Sequence, residues 1–206
     1  MRVSELKVEG AYVFTPDVFH DDRGYFLSPH QESDFTAATG HPLFPVRQAS
    51  YSRSKRGVVR GIHYTATPPG MAKYAYCTQG RALDYVVDLR EGSPTFGRWD
   101  SVVLDQQDFR SVYLPVGVGH LFLSLEAGTA VSYLLSAQYV AEREHAVSPL
   151  DPELALVFPA GLELRLSDRD RQAPTLAQAR AAGRLPGYAA SRRYEAEGRA
   201  HADSTG

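Results

Sequence analysis

Charged and titratable side chains run through a segment that is otherwise typical of buried β-strands. Between residues 57 and 90, the sequence GVVRGIHYTATPPGMAKYAYCTQGRALDYVVDLR mixes valine, isoleucine and tyrosine with Arg60, His63, Lys73 and Asp84. A histidine, an ammonium group and a carboxylate are groups that general acid–base catalysis can use. Because a β-barrel points alternate side chains into one lumen, it can bury such a set if its members pair. Taken singly, a strand histidine or lysine is more often a packing or surface residue.

The composition excludes several classes of function. The chain has 206 residues and a formal net charge of -2, which suits one domain and argues against nucleic-acid binding. A single cysteine, Cys77, rules out an internal disulfide and a cysteine-based zinc site. No apolar run approaches the roughly 20 residues of a membrane helix, and MRVSELKVEGAYVF lacks the apolar block of a signal peptide. We therefore expect a cytoplasmic protein with neither a membrane nor a nucleic-acid partner.

Short strand-like runs dominate the sequence from Leu6 to Val157. KYAYC and ALDYVVDL flank TQGR, WDSVVL and SVYLP flank DQQDFR, and HLFLSL and AVSYLLS flank EAG, which predicts three hairpins. Successive strands without a helical period between them indicate an all-β sandwich or barrel, with the jelly roll a strong candidate.

Two short helices and a polar tail complete the predicted architecture. QESDFTAATG predicts one helix, and TLAQARAAGRL predicts a second that begins near Thr175 and ends near Gly183. After Pro186 the sequence turns polar, with few apolar anchors in SRRYEAEGRAHADSTG. We expect one domain over residues 1–187 and a polar, flexible C-terminal tail over residues 188–206.

A second histidine occurs at a characteristic spacing. Pro115, Gly117 and His120 form P-x-G-x-x-H within PVGVGHLFL, which resembles the second sequence motif of the cupin superfamily of small jelly-roll barrels. Metal-binding cupins also carry H-x-H and a glutamate in a first motif, whereas RGIHYTATPPGMAKY has one histidine. Because a metal needs several converging N or O ligands, the resemblance implies a cupin-type jelly-roll β-barrel without a metal.

Five motifs in order resemble one family, the dTDP-4-dehydrorhamnose 3,5-epimerases and their relatives in antibiotic deoxysugar pathways. DDRGYF is similar to D-x-R-G-x-F, VVRGIHY to V-x-R-G-L-H-[FY], and ALDYVVDLREGSPTFGRW to D-V-x-V-D-[LI]-R-x-G-S-P-T-[FY]-G-x-W. LPVGVGHLFLSL is similar to P-x-G-[FV]-x-H-G-F, and LSDRDRQAPTL to S-x-[KR]-D-x-x-x-P-x-L. The resemblance extends over residues 3–176, and five ordered motifs are far more specific than any one of them.

The resemblance implies a catalytic role for five residues. Epimerisation next to a ketone removes a C–H proton, passes through an enolate and returns a proton to the opposite face. His63 matches the family's base, and Asp170 matches the aspartate that orients it. Lys73 would stabilise the enolate oxygen, Tyr133 matches the acid on the opposite face, and Asp84 is implied as a buried partner in the same site.

The resemblance also implies a set of substrate-binding residues. Arg23 and Arg60 match the positions that hold the diphosphate, for which guanidinium forks are well suited. Tyr139 matches the aromatic residue that stacks on thymine. Four further residues fall at family ligand positions: Gln48, His120, Glu144 and Arg169.

Two positions depart from the family pattern. Ser28 stands where R-G-x-F is usually followed by a glutamate two residues later, and Ser50 stands where the family has Q-x-N. Both positions belong to the nucleotide end as the family describes it, so they leave the acid–base residues intact. They favour a secondary-metabolism branch over an enzyme of rhamnose synthesis.

Several functions stay open at this point. The resemblance implies a cofactor-independent epimerase that inverts C3 and C5 of dTDP-4-keto-6-deoxy-D-glucose, and a C3-only epimerase would use the same base and oxyanion site. A metal-free dTDP-sugar 3,4-ketoisomerase on a cupin barrel fits the motifs less well. A nucleotide-sugar binding protein without activity is disfavoured, because His63, Lys73 and Tyr133 are all present. Family members are homodimers, so a homodimer is expected.

Overall fold

The computed structural model describes residues 1–203, with side chains described as far as residue 198. Thirteen strands and four α-helices are formed, with a 3-10 turn at Ala141–Arg143. The strands are β1 Arg2–Glu5, β2 Tyr12–Thr15, β3 Val18–Asp21, β4 Gly24–Leu27, β5 Gln48–Ser54, β6 Val59–Thr65, β7 Lys73–Gln79, β8 Arg81–Asp88, β9 Trp99–Asp105, β10 Ser111–Leu114, β11 Val118–Ser124, β12 Thr129–Leu135 and β13 Glu144–Ala146. The helices are α1 Glu32–Thr39, α2 Asp168–Arg171, α3 Leu176–Ala181 and α4 Tyr188–Asp203.

Two facing antiparallel sheets form a jelly roll, which confirms the predicted all-β class. The first sheet has the order β1-β2-β10-β7-β12-β5, the second has the order β13-β6-β11-β8-β9, and β3 and β4 form a separate hairpin. All the strand pairs within them are antiparallel. We call the space between the two sheets the lumen.

The three predicted hairpins are wrong, although the six strands they contain are correct. β7 and β8 lie in opposite sheets, and so do β9 and β10, and β11 and β12. Gly80 is the single residue between β7 and β8, and its φ is 73°. It lies so close to β12 that an added Cβ would be 2.9 Å from Thr129 Oγ1. Each short connection therefore carries the chain across the lumen, and hydrophobic alternation cannot distinguish this crossing from a turn within one sheet.

The core has one layer inside the jelly roll and one on each outer face. Inside, small and branched residues from both sheets pack together: Ala75, Cys77, Val86, Leu104, Val112, Leu114 and Val118. On the first sheet's outer face, Phe35 of α1 packs with Phe14 and Tyr74. The second sheet's outer face is covered by α3 and the segments flanking it. Apolar packing therefore covers both outer faces, and part of the lumen is left for polar residues.

The predicted helices are confirmed, whereas the predicted tail differs. Thr175 caps α3 with a capping box to Gln178, as its sequence indicates. Residues 188–203, predicted as a polar tail with few apolar anchors, form the helix α4, because its alanine, glutamate and arginine residues favour helix. Glu195 is buried and accepts a hydrogen bond from the Tyr113 hydroxyl. Residues 204–206 lie outside the described part of the chain, and the division into a domain and a flexible tail stays a prediction.

Arg90, from the motif DLREGSPTFGRW, is fully buried and joins three parts of the fold. Its guanidinium donates to both carboxylate oxygens of Asp88, at 2.9 and 2.8 Å, and to the Glu9 carbonyl at 2.7 Å. It also lies over the ring of Tyr188, 5.2 Å from the centroid. Burial raises the pKa of Asp88, but hydrogen bonds from Arg90, Ser93 and Thr95 outweigh it and hold that pKa below its usual value. This motif therefore fastens the β8–β9 connection and α4 together.

No helix within residues 1–203 is both long and apolar enough to cross a membrane.

Replacing Arg90 by methionine tests the structural role of this motif. The change leaves the Asp88 carboxylate buried without its cation, so we expect the free energy of unfolding to fall by about 3–5 kcal/mol, measured by urea denaturation. Arg81→Met is the matched control, because Arg81 is half exposed and 3.7 Å from Asp105, and it should change stability by less than about 1 kcal/mol. Equal effects of the two changes would contradict the assignment.

Candidate active site

A β-bulge places two of the predicted site residues on the same face of β6. His120 of β11 pairs with His63, and Phe122 pairs with Arg60, so β6 contains one extra residue between the two pairs. Residues three apart on a regular strand face opposite sides, and the extra residue lets both side chains face the lumen. Gly61 makes this possible, since its φ is 130° and an added Cβ would lie 2.4 Å from the His120 carbonyl oxygen.

His63 of β6 and Asp170 of α2 form a hydrogen-bonded pair. His63 Nε2 lies 2.6 Å from Asp170 Oδ1, with the imidazole 29% exposed and the carboxylate 3% exposed. Ser167 caps α2 by accepting the backbone N–H of Asp170, which fixes the start of that helix. Burial raises the pKa of Asp170, but hydrogen bonds from His63 and Ser167 outweigh this effect and hold it below its usual value. The result is a histidine that is oriented by a buried carboxylate and still accessible.

A second histidine–carboxylate pair is buried inside the lumen. His120 Nε2 lies 2.7 Å from Asp84 Oδ2, and both side chains are almost inaccessible. Burial raises the pKa of Asp84, while His120 and Lys73 oppose the rise. The other carboxylate oxygen, Oδ1, has no hydrogen-bond partner among the described residues. The sequence placed Asp84 in the site as a buried partner, and its bonded partner is His120 rather than Lys73.

Tyr133 stands next to this second pair, on the first sheet. Its ring packs edge-on against His120, with centroids 5.8 Å apart, and also contacts Phe122. Burial raises the pKa of the phenol, and the nearby Asp84 carboxylate raises it further. Tyr133 is therefore a neutral O–H group at neutral pH.

Lys73 is a buried lysine that has no direct partner among the residues whose side chains are described. It is the first residue of β7 and pairs with Leu135 of β12, the strand that also carries Tyr133. Residues 1–198 offer it no hydrogen bond or ion pair, although the charges of Glu144 and Asp84 are near enough to raise its pKa. Burial has the larger effect and lowers that pKa below the usual value. The Lys73 amine is therefore held in the lumen without a direct contact to a charged group among residues 1–198.

Arg60 is held on its own, because its Nε donates to Ser54 Oγ across the lumen at 3.2 Å. The four other predicted ligands near the lumen form two small groups. Gln48 accepts the backbone N–H of Tyr139 at 2.8 Å, which brings the half-exposed Tyr139 ring to the end of β5. Glu144 accepts the Thr65 hydroxyl at 2.6 Å, and Arg169 donates to the Glu144 carbonyl at 2.9 Å. Both groups lie beside the histidine, lysine and tyrosine residues.

Arg23 is the exception, because the structure does not bring it to the other residues. It lies in the β3–β4 hairpin, its side chain is 89% exposed, and its guanidinium pairs with Asp21 at 2.5 Å. Phe19 and Phe26 of the same hairpin are also exposed. Within one chain, the hairpin stands away from the lumen.

Sequence reasoning missed the hydroxyl groups that support the site. Ser167 caps the helix of Asp170, Thr65 donates to Glu144, and Ser54 holds Arg60. The alternation Q-x-S-x-S-x-S over residues 48–54 is a signal that could have revealed a polar face of β5.

The part of the chain that the structure describes contains no cluster of three or more histidine, cysteine, aspartate or glutamate residues that could hold a metal ion. The two histidines of the lumen, His63 and His120, are instead each paired with one aspartate.

Known proteins match almost the whole chain. A family profile described as dTDP-4-dehydrorhamnose 3,5-epimerase matches residues 5–178. A dTDP-4-dehydrorhamnose 3,5-epimerase of Mycolicibacterium smegmatis is 49% identical over 189 residues, covering 92% of each chain. A dTDP-4-dehydro-6-deoxyglucose 3-epimerase of a Streptomyces species is also 49% identical, covering 90% of this chain and 94% of its own. The solved structure of a Mycobacterium tuberculosis epimerase superposes with a TM-score of 0.92 at 46% identity, covering 97% of this chain and all of that one.

Replacing Lys73 by methionine should stabilise the fold. The change removes a buried ammonium without emptying the space its side chain fills, so we expect the free energy of unfolding at pH 7 to rise by about 1–2 kcal/mol, measured by urea denaturation. Lys7→Met is the control, because Lys7 is exposed and should change stability by less than about 0.5 kcal/mol. A destabilised Lys73→Met protein would show that the ammonium has a stabilising partner.

Replacing Asp170 by asparagine should flatten the acid limb of the stability curve. The folded-state pKa of Asp170 lies below its unfolded value, so its carboxylate stabilises the fold above the unfolded pKa and this contribution is lost as pH falls through the folded pKa. Urea unfolding at a series of pH values below about 5 should show a shallower decline for Asp170→Asn than for the unchanged protein. Asp168→Asn, an exposed change on the same helix, should follow the unchanged protein. Parallel curves for all three proteins would refute the prediction.

Proposed function

Because the chain belongs to the dTDP-4-dehydrorhamnose 3,5-epimerase family, we propose that it inverts C3 and C5 of dTDP-4-keto-6-deoxy-D-glucose through an enolate. The enzyme is an isomerase, and relatives of both the 3,5- and the 3-epimerase kind match it over most of its length. The single observation that carries the proposal is that His63 of one sheet is hydrogen-bonded to Asp170 of α2, with Lys73 and Tyr133 on the facing sheet.

His63 is the proposed base. Its Nε2 is engaged by Asp170, so Nδ1 is the ring nitrogen left to take the proton from the carbon next to the ketone. Asp170 stabilises the imidazolium that forms, because its own carboxylate is held ionised by the hydrogen bonds it accepts. Proton transfer by a positioned side chain of this kind contributes about 100- to 10,000-fold to the rate.

Lys73 is the proposed electrostatic partner of the enolate. Removing the proton leaves negative charge on the C4 oxygen, and a donor that is already in place stabilises that charge without reorganisation. The ammonium is suited to this role because no described side chain neutralises it by contact. The burial that makes Lys73 unfavourable in the free protein thus strengthens its attraction to the oxyanion.

Tyr133 is the proposed acid. It carries its proton at neutral pH and lies on the sheet opposite His63, which supports a role in returning a proton to the other face of the enolate. His120 fills the space between the two sheets beside Tyr133 and is held by Asp84. The two faces of a planar intermediate would therefore meet different groups.

The diphosphate and the base of the nucleotide extend the proposed site toward the end of β5. Arg60 supplies a guanidinium at the Ser54 end of β5, and Gln48 and Tyr139 lie together at the opposite end, where an aromatic face is available for a pyrimidine. Glu144 and Arg169 complete the proposed contacts.

A homodimer is part of the proposal. In one chain, Arg23 pairs only with its neighbour Asp21 among the described residues, and the aromatic residues Phe19 and Phe26 around it are exposed. An exposed aromatic patch rimmed by charges is typical of an interaction surface. A second subunit that covers the hairpin would give both features a function.

Inversion of C3 alone is the second candidate. Its support is that a 3-epimerase relative matches the chain at the same 49% identity as a 3,5-epimerase relative. The base and the oxyanion site serve both reactions, so the two candidates differ only in whether C5 exchanges its proton.

Proton NMR of dTDP-4-keto-6-deoxyglucose incubated with the enzyme in deuterium oxide separates the candidates. We expect deuterium at both C3 and C5 for the 3,5-epimerase, and at C3 only for the 3-epimerase. The rate should be unchanged in the presence of a chelator. No exchange at either carbon would refute both candidates, and loss of exchange with chelator would refute a metal-free reaction.

His63→Asn should reduce exchange at C3 by about 100-fold or more, because the proposed base is removed. The matched control is His145→Asn, since His145 lies on the adjacent strand with its ring against Tyr64. The control should exchange at the rate of the unchanged enzyme. Full exchange by His63→Asn would rule out His63 as the base.

A further inference from the structure

The inner face of β5 is a ladder of small polar side chains. Gln48, Ser50, Ser52 and Ser54 alternate with Ala49, Tyr51 and Arg53, which are exposed. Alternate residues of a strand share one face, and Ser54 meets Arg60 inside the lumen, so the whole ladder faces inward. We refer to Gln48, Ser50, Ser52 and Ser54 as the β5 ladder.

Members of the ladder hold residues of the proposed site. Gln48 donates to Ser50 Oγ at 2.9 Å and accepts the Tyr139 backbone N–H, while Ser54 accepts from Arg60 at 3.2 Å. Ser52 lies between these contacts. Its hydroxyl is 3.5 Å from the Val131 carbonyl, at the limit of a hydrogen bond, so this contact holds it weakly.

Ser52 is placed against Tyr133 by the pairing of β5 with β12. In this register Ser50 is opposite Tyr133 and Ser52 is opposite Val131, which puts Ser52 on the diagonal from Tyr133 on the lumen side. Burial raises the pKa of the phenol, and the nearby Ser52 hydroxyl lowers it. A donor to the phenol oxygen has this effect because it stabilises the phenolate.

The other contacts of Tyr133 fix its ring but not its hydroxyl group. His120 and Phe122 touch the ring, with centroids 5.8 and 6.5 Å away. Neither contact decides where the O–H bond points. A hydroxyl that donates to the phenol oxygen leaves the phenol's own proton free for another acceptor.

We propose that Ser52 is a positioning residue for Tyr133: its hydroxyl donates to the phenol oxygen and directs the phenol O–H toward the substrate carbon that it protonates. This inference rests on the proposed function, with Tyr133 taken as the acid that reprotonates C5 on the face opposite His63. Ser52 thereby sets how efficiently C5 is inverted relative to C3, while the step at His63 does not depend on it.

The first test compares exchange at the two carbons in one sample in deuterium oxide. Ser52→Ala should lower deuterium incorporation at C5 relative to C3 by about tenfold or more, because a misdirected acid transfers its proton poorly. Ser52→Thr keeps the hydroxyl and should restore most of the ratio. The matched control is Ser132→Ala on β12, whose side chain lies on the outer face opposite Tyr51, and it should keep the ratio of the unchanged enzyme.

The C3 signal separates failure of this inference from failure of the proposed function. Exchange at C3 with an unaltered C5-to-C3 ratio in Ser52→Ala would overturn the role of Ser52 and leave the epimerase intact. No C3 exchange in the unchanged enzyme would overturn the proposed function itself.

The second test needs neither substrate nor turnover, so it decides the matter even for an enzyme that inverts only C3. In protein labelled with 13C at the tyrosine Cζ carbon, Tyr133→Phe identifies the Tyr133 resonance. Ser52→Ala should shift this resonance, because the phenol oxygen loses a hydrogen-bond donor, while Ser52→Thr and Ser132→Ala should leave it in place. A Tyr133 resonance that is the same in Ser52→Ala and the unchanged protein would overturn the proposal.

Discussion

Keeping ionisable groups between two β-sheets without isolating them is the constraint on which this structure depends. Removing a charge from water costs several kcal/mol unless a partner compensates for it. His63 with Asp170 and His120 with Asp84 meet this demand by pairing, and Lys73 does not. The apolar layers inside the jelly roll and on its two outer faces supply the burial that offsets this cost.

The two sheets separate the groups that the proposed reaction uses. The second sheet carries His63 and the first carries Lys73 and Tyr133, so their separation is set by the packing of one sheet on the other. Groups fixed in this way need little reorganisation when charge develops on a bound substrate. The same packing explains why replacing Lys73 is expected to raise stability and also to impair the proposed reaction. The isolation of Lys73 is unfavourable for folding, but it makes the residue useful to an oxyanion.

The sequence was informative wherever a residue's own neighbours determine the outcome. Alternation predicted the six strands β7 to β12, three in each sheet, and the ordered motifs predicted the family. Strand partners were not predictable, because alternation reports the face of a strand and not its neighbour, and the three expected hairpins all connect opposite sheets. Helix α4 was missed because its buried anchors are polar, and the bond between Asp84 and His120 joins residues far apart in the chain.

The cross-sheet connections have a consequence for how the protein folds during synthesis. β5 pairs only with β12, yet β6 to β11 all lie between them in the chain and are divided between the two sheets. The strand bearing Ser52 therefore cannot be paired until β12 has left the ribosome. Such non-local pairing is typical of slow folding and prolongs exposure of unpaired strands. The arrangement that assembles a charged lumen thus lengthens the time for which the nascent chain is open to aggregation.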